Sequence, residues 1–315
     1  MMKKPLIVLT GPTAVGKTKL SIALAKAVGG EIISADSMQV YKHMDIGSAK
    51  IRPEEMDGVT HYLVDVLEPE EEFHIVKFQQ MAGEAMEAIY AHGHIPILVG
   101  GTGFYIQAIT RDIDFTEAQI QDDYRLFLEK LAEEKGCHFL HEMLAEVDPE
   151  SAAKIHENNV KRVIRALEFY HQNQAPISVH NQQQKERKSP YDLAYFVLNA
   201  PRELLYERID RRVDEMLAQG LVEEVRALKE RGCHRGMVSM QGLGYKEILA
   251  YLEGECSLEE AVQILKRDTR HFAKRQLTWF RREEEVIWVN KQDFAYSEEA
   301  ILDYMLARCR EKEIL

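Results

Sequence analysis

Residues 11–18 read GPTAVGKT, a set of types and spacings that can hold phosphate. Glycines let backbone N–H groups turn inward around phosphate oxygens, and Lys17 adds a point charge. The Thr18 hydroxyl can hold Mg²⁺ at the N-terminus of a following helix whose dipole also favours anions. The candidate phosphate ligands are therefore Gly11, Pro12, Thr13, Ala14, Val15, Gly16, Lys17 and Thr18, with Thr18 also the candidate metal ligand. A second capable residue stands in IISADSMQVY: Asp36 ends an apolar stretch, flanked by Ser34 and Ser37. The carboxyl end of a strand is where open α/β sheets bind ligands. Such an Asp is a turn-former or, aimed at a phosphate cradle, a general base; from the residues alone both readings stand.

These groups need elements to position them. The apolar run Leu6 to Thr10 predicts a strand feeding the loop, and Leu20, Ala23, Leu24 and Ala27 recur at helical spacing up to Gly29-Gly30, which can close the helix in a left-handed cap. Further strands are predicted at Glu31 to Ala35, His61 to Val66 and Ile95 to Gly101, with a helix from Ile75 to His92 ended by Gly93. That alternation predicts an α/β fold, a P-loop NTPase-like parallel sheet flanked by helices. From about Phe115 the strands stop. Tyr124, Phe127, Leu128 and Leu131 share a helical face, Asp148-Pro149 reads as N-cap and N1, and Val160 to Tyr170 gives another helix. Residues 114–192 therefore read as an all-helical insertion between a first core segment, 1–113, and a second, 193–315. The polar, strand-free run Asn181 to Pro190 marks the return. After it come a strand at Tyr195 to Leu198, helices over Glu203 to Ala218 and Leu221 to Arg231, and a long helix opened by a Ser257/Glu260 capping box. A last strand, Val286 to Val289, and a last helix, Ser297 to Arg310, complete the chain.

A chain of 315 residues with 45% hydrophobic and 29% charged content reads as a soluble globular protein, not a disordered or membrane-dominated one. The start, MMKKPLIVLTG, is too short in apolar residues for an export signal. Cys137, Cys233, Cys256 and Cys309 lie apart with no CxxC pairing, so neither a cysteine zinc site nor a disulfide framework is expected, and a reducing cytoplasm fits. The formal net charge of −12 argues against a nucleic-acid partner. Local charge opposes that: Lys266, Arg267, Arg270, Lys274, Arg275, Arg281 and Arg282 face one acid, Asp268, while acids gather around Glu68 to Glu72 and Glu117 to Glu157. A sign-segregated surface can grip a phosphate backbone; the same pattern also describes a salt-bridged helix face. No coiled-coil heptads are present, which favours a monomer.

Three chemistries compete for the phosphate loop. A GTPase is suggested by VIWVNKQD, whose Asn290 to Asp293 match NKxD, but no DxxG occurs and the four residues read better as a polar turn. A kinase would want a carboxylate ending the strand at Ile95 to Val99, where Gly100-Gly101-Thr102-Gly103 stands instead; Asp65 could supply an acid from another strand. A transferase that holds a diphosphate leaving group needs no such carboxylate.

GPTAVGKT, ISADSMQVY with MDIGSAK, LVGGTGFY, MLAQGLVEEVRAL, QGLGYKE and KRQLTWFR, in that order from Gly11 to Arg281, resemble the tRNA dimethylallyltransferases, also called tRNA isopentenyltransferases. The resemblance implies transfer of the dimethylallyl group of dimethylallyl diphosphate to N6 of adenine 37, beside the anticodon of tRNAs reading codons that begin with U. By position it implies Asp36 as base toward the N6 amine, the phosphate loop on the diphosphate with Mg²⁺ on Thr18, and Thr102 and Arg226 completing the clamp on the leaving group. It further implies tRNA contacts from Asp36, Ser37, Met38 and Gln39, from Lys161, Arg162 and Arg165, from Gln241, Gly242, Leu243, Gly244, Tyr245 and Lys246, and from Lys274 and Arg275. The partners expected are thus dimethylallyl diphosphate and the tRNA anticodon stem-loop, and no membrane. Gln241, where some relatives carry arginine, and Asn158-Asn159, where Asn-Asp is expected, depart from the pattern. An adenylate isopentenyltransferase, a P-loop metabolite kinase and an RNA-binding module are the alternatives.

Overall fold

The computed structural model describes residues 3–113, 115 and 122–315. Residue 114, where the insertion is predicted to begin, and Glu117 lie outside the described residues. Two compact units emerge: the chain up to Thr110 together with Ser189–Leu315, and Arg111–Lys188.

The first unit opens with β1 (Lys4–Thr10), α1 (Lys17–Val28), β2 (Gly30–Ala35), β3 (His61–Tyr62), α2 (Ile75–Ala91), β4 (Ile95–Gly100) and α3 (Gly103–Thr110). The second unit holds α4 (Asp122–Lys135), α5 (Cys137–Val147), α6 (Pro149–Lys154), α7 (Val160–Asn173) and α8 (Ile177–Glu186). The chain then returns with β5 (Tyr191–Asn199), α9 (Arg202–Ala218), α10 (Leu221–Glu230), α11 (Tyr245–Leu252), α12 (Leu258–Phe280), β6 (Val286–Asn290) and α13 (Glu298–Glu311).

One parallel sheet, in the order β3-β2-β4-β1-β5-β6, carries the first unit. Leu6, Ile7, Val8 and Leu9 of β1 are fully buried, because helices cover both faces of the central strand and its side chains reach apolar cores whichever way they point. Leu20 and Leu24 of α1 pack with Ile301 and Met305 of α13 on one side. Phe78 and Ala82 of α2, Ile106 of α3, Val213 of α9 and Phe280 of α12 pack on the other. Helix ends follow their local chemistry. Gly29, at φ 62°, closes α1 with its N–H on Ala25 O, and Ser257 and Glu260 form the reciprocal capping box of α12.

Three elements differ from the sequence reading. β3 ends at Tyr62, not Val66, because Leu63 and Asp65 take left-handed φ values of 60° and 58° and turn the chain off the sheet edge. β5 is longer, starting at Tyr191 in register with Lys4 of β1. The polar run after Asn181 is in part helical, being the end of α8.

In the second unit, Leu128, Leu140, Leu144, Val163, Ile164 and Leu167 make a separate small core. Asp148 caps α6 at Pro149, as its sequence predicts, and also ties α8 to it. The buried carboxylate accepts from the N–H and hydroxyl of both Ser151 and Ser178, at 2.6 to 3.0 Å. Burial alone raises the Asp148 pKa, but these hydrogen bonds outweigh it and leave the group below its ordinary value.

Candidate active site

The carboxyl ends of β1, β2 and β4 deliver three loops to one place. In the first, Gly11 turns at φ 145° with its Cα against β5, where a Cβ would come within 2.5 Å of Leu198 O. Gly16, at φ 91°, then starts α1. Only glycine meets both demands. Lys17 folds back over the loop and donates to the carbonyls of Gly11 and Pro12, each at 3.0 Å. Burial pulls its pKa down to about 8; Asp36 works against that shift and Arg212 adds to it. Thr18 is exposed at the first turn of α1.

Asp36 uses one oxygen to build its own loop. Oδ1 accepts from the N–H groups of Met38 (2.8 Å) and Gln39 (3.3 Å), an Asx turn that leaves Oδ2 outside the turn. The turn-former and general-base readings of this residue are thus compatible. In the third loop, Thr10 Oγ1 donates to Gly100 O at 2.7 Å, and the Thr102 N–H donates to Ala35 O at 3.2 Å, which places Thr102 beside the root of Asp36. Gly100 must be glycine: a Cβ would fall on the Ala35 carbonyl.

Gln276 of α12 joins the first loop to the third. Its Oε1 accepts from the Thr13 N–H at 2.9 Å and its Nε2 donates to Gly101 O at 2.9 Å. From the turn that follows β6, Lys291 reaches the phosphate loop. Its buried ammonium stands 3.4 Å from Val15 O, and burial lowers its pKa. The Asn290 to Asp293 segment is therefore more than a polar turn.

Two clamps fix the segment between β2 and β3. Glu224 of α10 accepts from the backbone N–H groups of Asp45, Ile46 and Gly47 at 2.7 to 3.0 Å and from the Tyr245 hydroxyl at 2.8 Å. Lys50 donates to Tyr41 O and bridges Asp45 and Asp65 at 2.5 and 2.7 Å. Asp65 is thus engaged by Lys50 in loop structure, which corrects its reading as a possible metal-holding acid. Tyr245 is fully buried, so its side chain is engaged within the protein: its hydroxyl donates to Glu224 and accepts from the Ser48 N–H, and burial raises its pKa well above the ordinary value. Met38 of the Asp36 loop lies against Gly242, where a Cβ would collide with its thioether; Leu243 and Ser37 are half-buried, Gly244 turns at φ 96°, and Gln39 Nε2 donates to Ala49 O at 3.2 Å. Gln241 is exposed and donates to Arg235 O; Lys246 stands 3.5 Å from Glu247.

The basic helix divides into two parts. Lys266 pairs with Asp214 of α9 at 2.6 Å, Arg270 with Asp210 of α9 at 2.5 Å, and Arg267 with Asp268 at 2.8 Å. Farther along, His271, Lys274, Arg275, Thr278, Trp279 and Arg282 line an open cleft of about 440 Å³. Arg226, predicted at the leaving group, is exposed on α10 at 4.0 Å from Glu223, and no hydrogen bond joins it to the phosphate loop among the described residues. In the second unit, Lys161, Arg162 and Arg165 share an exposed face of α7 and enter no salt bridge among the described residues.

A protein-family model described as IPP transferase matches residues 39–283, well over half the chain. The chain belongs to the IPP transferase family. Among its relatives, the tRNA dimethylallyltransferase of Lachnoclostridium phytofermentans is 63% identical over 312 residues, covering 99% of this chain and 99% of the relative. The solved structure of the full-length tRNA isopentenylpyrophosphate transferase from Bacillus halodurans is similar at TM-score 0.74 and 44% identity, covering 99% of this chain and 98% of that one. A eukaryotic dimethylallyltransferase acting on tRNA is similar at TM-score 0.79 and 31% identity, over 93% of this chain and 75% of that one.

The family model's span begins at Gln39, so the phosphate loop and Asp36 of this IPP transferase family member precede it and lie in the part of the chain covered by the comparison with the Lachnoclostridium phytofermentans relative. Three residues at the site escape a reading of the sequence: Arg212, Gln276 and Lys291. Arg212 stands in a helix rich in charge, RIDRRVDEM, where nothing in the spacing marks the one guanidinium that is turned inward; burial lowers its pKa. KRQLTWFR contains Gln276, but as a motif it points to the helix and not to this amide.

Proposed function

We propose that the protein is a transferase that moves the dimethylallyl group of dimethylallyl diphosphate to N6 of adenine 37 in tRNAs reading codons that begin with U, releasing diphosphate. The observation that carries this reading is the pairing of a complete phosphate loop with Asp36 in the absence of a carboxylate at the end of β4, where Gly100 stands. The loop can hold phosphate and Asp36 can accept an amine proton, but at the strand end where γ-phosphoryl transfer wants an acid there is glycine.

In this mechanism the N6 amine forms a bond to C1 of the allyl chain as the C1–oxygen bond breaks; the amine proton passes to Asp36 Oδ2, and the electron pair leaves with diphosphate. Negative charge grows on that leaving group, so the N–H groups of the phosphate loop, Lys17 and the adjacent Arg212 stabilise the transition state more than the ground state. Removing one such donor costs on the order of 3 kcal/mol of barrier. Bound diphosphate displaces Lys17 from the carbonyls of Gly11 and Pro12. Thr102 reaches the leaving group from beside Asp36.

Mg²⁺ fits this donor set: a single exposed hydroxyl, Thr18, at a helix N-terminus beside the phosphate cradle matches the ion's habit of taking few protein ligands alongside substrate oxygens and water. When bound it neutralises charge on the diphosphate.

The adenine enters after leaving its stack, with Ser37, Met38, Gln39 and the Gln241 to Lys246 turn at its entrance. Lys274 and Arg275 meet anticodon-stem phosphates, as do Lys161, Arg162 and Arg165 on the helical unit. No helix among the described residues is long and apolar enough to cross a membrane, and four free cysteines suit a reducing cytoplasm. The protein acts there as a monomer.

Incubation with unmodified tRNA and dimethylallyl diphosphate tests the reading. Diphosphate should be released only when both substrates are present, and added ATP should not be consumed. ADP formation without diphosphate release would assign the loop to a kinase.

A further inference from the structure

The amino ends of the same strands carry a second cluster of chemically capable groups. Glu31, second residue of β2, is only 5% exposed, a burial that a carboxylate tolerates only when its oxygens are satisfied. Oε2 accepts from the Tyr62 hydroxyl at 2.7 Å. Oε1 faces two imidazoles, His92 Nδ1 at 3.0 Å and His94 Nδ1 at 2.5 Å. One ligand atom from each of Glu31, His92 and His94 lies within 4.8 Å of the other two. Hydrogen bonds from His94, Tyr62 and His92 overcome the effect of burial and keep the carboxyl ionised below its ordinary range.

The backbone prebuilds this arrangement. Glu31 is fixed in register opposite Pro96 of β4. Gly93, at φ 76°, ends α2 in a turn in which the N–H groups of His92, Gly93 and His94 bond to Ala88, Tyr90 and Ile89 carbonyls. The turn sets both imidazoles over the same oxygen, and both keep about half their side-chain surface in solvent.

We propose that Glu31, His92 and His94 form a binding site for a divalent transition metal of the Zn²⁺ class, separate from the phosphate loop. Two imidazoles and one carboxylate are a donor set for borderline ions, whereas Mg²⁺ selects oxygen. Zinc bonds of about 2.0–2.2 Å place tetrahedral ligand atoms roughly 3.3–3.5 Å apart, so small rotations of the half-exposed rings admit the ion. The ion takes the place of the Nδ1–H···Oε1 bonds: each ring ligates as a neutral imidazole through Nδ1 with its single proton moved to Nε2, any excess proton passes to solvent, and water fills the fourth position. Tyr62 acts as a positioning residue: by holding Oε2 it presents Oε1, the role that outer-shell hydrogen bonds play at metal sites. Bound metal would join the start of β2 to the turn before β4.

Chelator-stripped full-length protein is dialysed against Zn²⁺ in excess Mg²⁺, and bound zinc is counted by elemental analysis. Wild type should hold about one Zn²⁺ more than the His92→Ala/His94→Ala variant. Tyr62→Phe should keep the stoichiometry and weaken affinity roughly 10- to 100-fold. Substitution with Co²⁺ should give visible bands without thiolate charge transfer. Equal zinc in wild type and the double variant, or thiolate bands with Co²⁺, would place the metal elsewhere and overturn the proposal; no loss of affinity in Tyr62→Phe would overturn its positioning role. Because the two imidazoles also satisfy Glu31 Oε1, the double variant should melt below metal-free wild type; at a temperature where both are folded it should still release diphosphate at the wild-type rate, which separates loss of metal from loss of the phosphate site.

Discussion

Replacing Gln276 with alanine should disable catalysis although its amide is engaged by backbone groups of two loops, at Thr13 and Gly101, and not by substrate. The amide is the one link described between the phosphate loop and the turn that carries Thr102, accepting from the Thr13 N–H and donating to Gly101 O. Both bonds are lost in Gln276→Ala, and at roughly 1 kcal/mol net for each the fold should lose about 2 kcal/mol. For a unit of this size that is roughly 4–8 °C in melting temperature. The larger effect is geometric. With the strut gone the two loops no longer hold a fixed separation, and a misplacement of about 1 Å at a reacting centre costs on the order of 10²-fold in rate. Diphosphate release under saturating tRNA, read beside a thermal melt, measures both. Gln276→Glu keeps the acceptor for Thr13 but sets a carboxylate oxygen against Gly101 O, so it should restore less than half of the lost stability. A Gln276→Ala protein with wild-type melting temperature and turnover within twofold would refute the strut.

Asp36→Asn keeps an oxygen for the Met38 and Gln39 N–H groups but cannot accept the amine proton, so turnover should fall roughly 10²- to 10⁴-fold while tRNA affinity, measured by filter binding, holds. Lys17 has a folded pKa of about 8 against 10.5 unperturbed. The unfolded chain therefore binds more protons between those values, and this group's penalty, fully present below pH 8, is relieved as pH rises toward 10.5. Lys17→Met should flatten the rise of stability across that window in pH-dependent melts, and an unchanged slope would contradict the assignment. Lys274→Ala combined with Arg275→Ala should lower the log–log salt dependence of tRNA binding by about one unit per lost phosphate contact. Lys266→Ala, which breaks the pair with Asp214, should lower the melting temperature and leave the salt slope alone.

The phosphate loop, Asp36 and the parallel sheet are legible in the sequence because their determinants are contiguous: a strand, eight residues of fixed spacing, a helix. Gln276 is not legible for the opposite reason, since the N–H it serves lies 263 residues away and only the folded topology brings α12 over the loop. The composition of the basic run from Lys266 to Arg282 does not say which of its charges are paired. The acids that neutralise Lys266 and Arg270 are Asp214 and Asp210, which belong to α9, so a count within the run misses them. Tyr245 shows the same limit. The resemblance counts it among the RNA contacts, yet its ring occupies the space that a Cβ at Gly47 would take and its hydroxyl donates to Glu224, neither of which its neighbours in sequence announce. Asp65 reads as a strand-end acid only if β3 is extended, and its φ of 58° ends that possibility.

Mass spectrometry of nucleosides from a tRNA that reads codons beginning with U, incubated with the protein and dimethylallyl diphosphate, tests the central claim most directly. The account predicts one added dimethylallyl group, on the adenosine at position 37 alone, absent when Asp36→Asn replaces the wild type. Unmodified adenosine 37 after complete incubation, or prenylation of free AMP in preference to the tRNA, would contradict it.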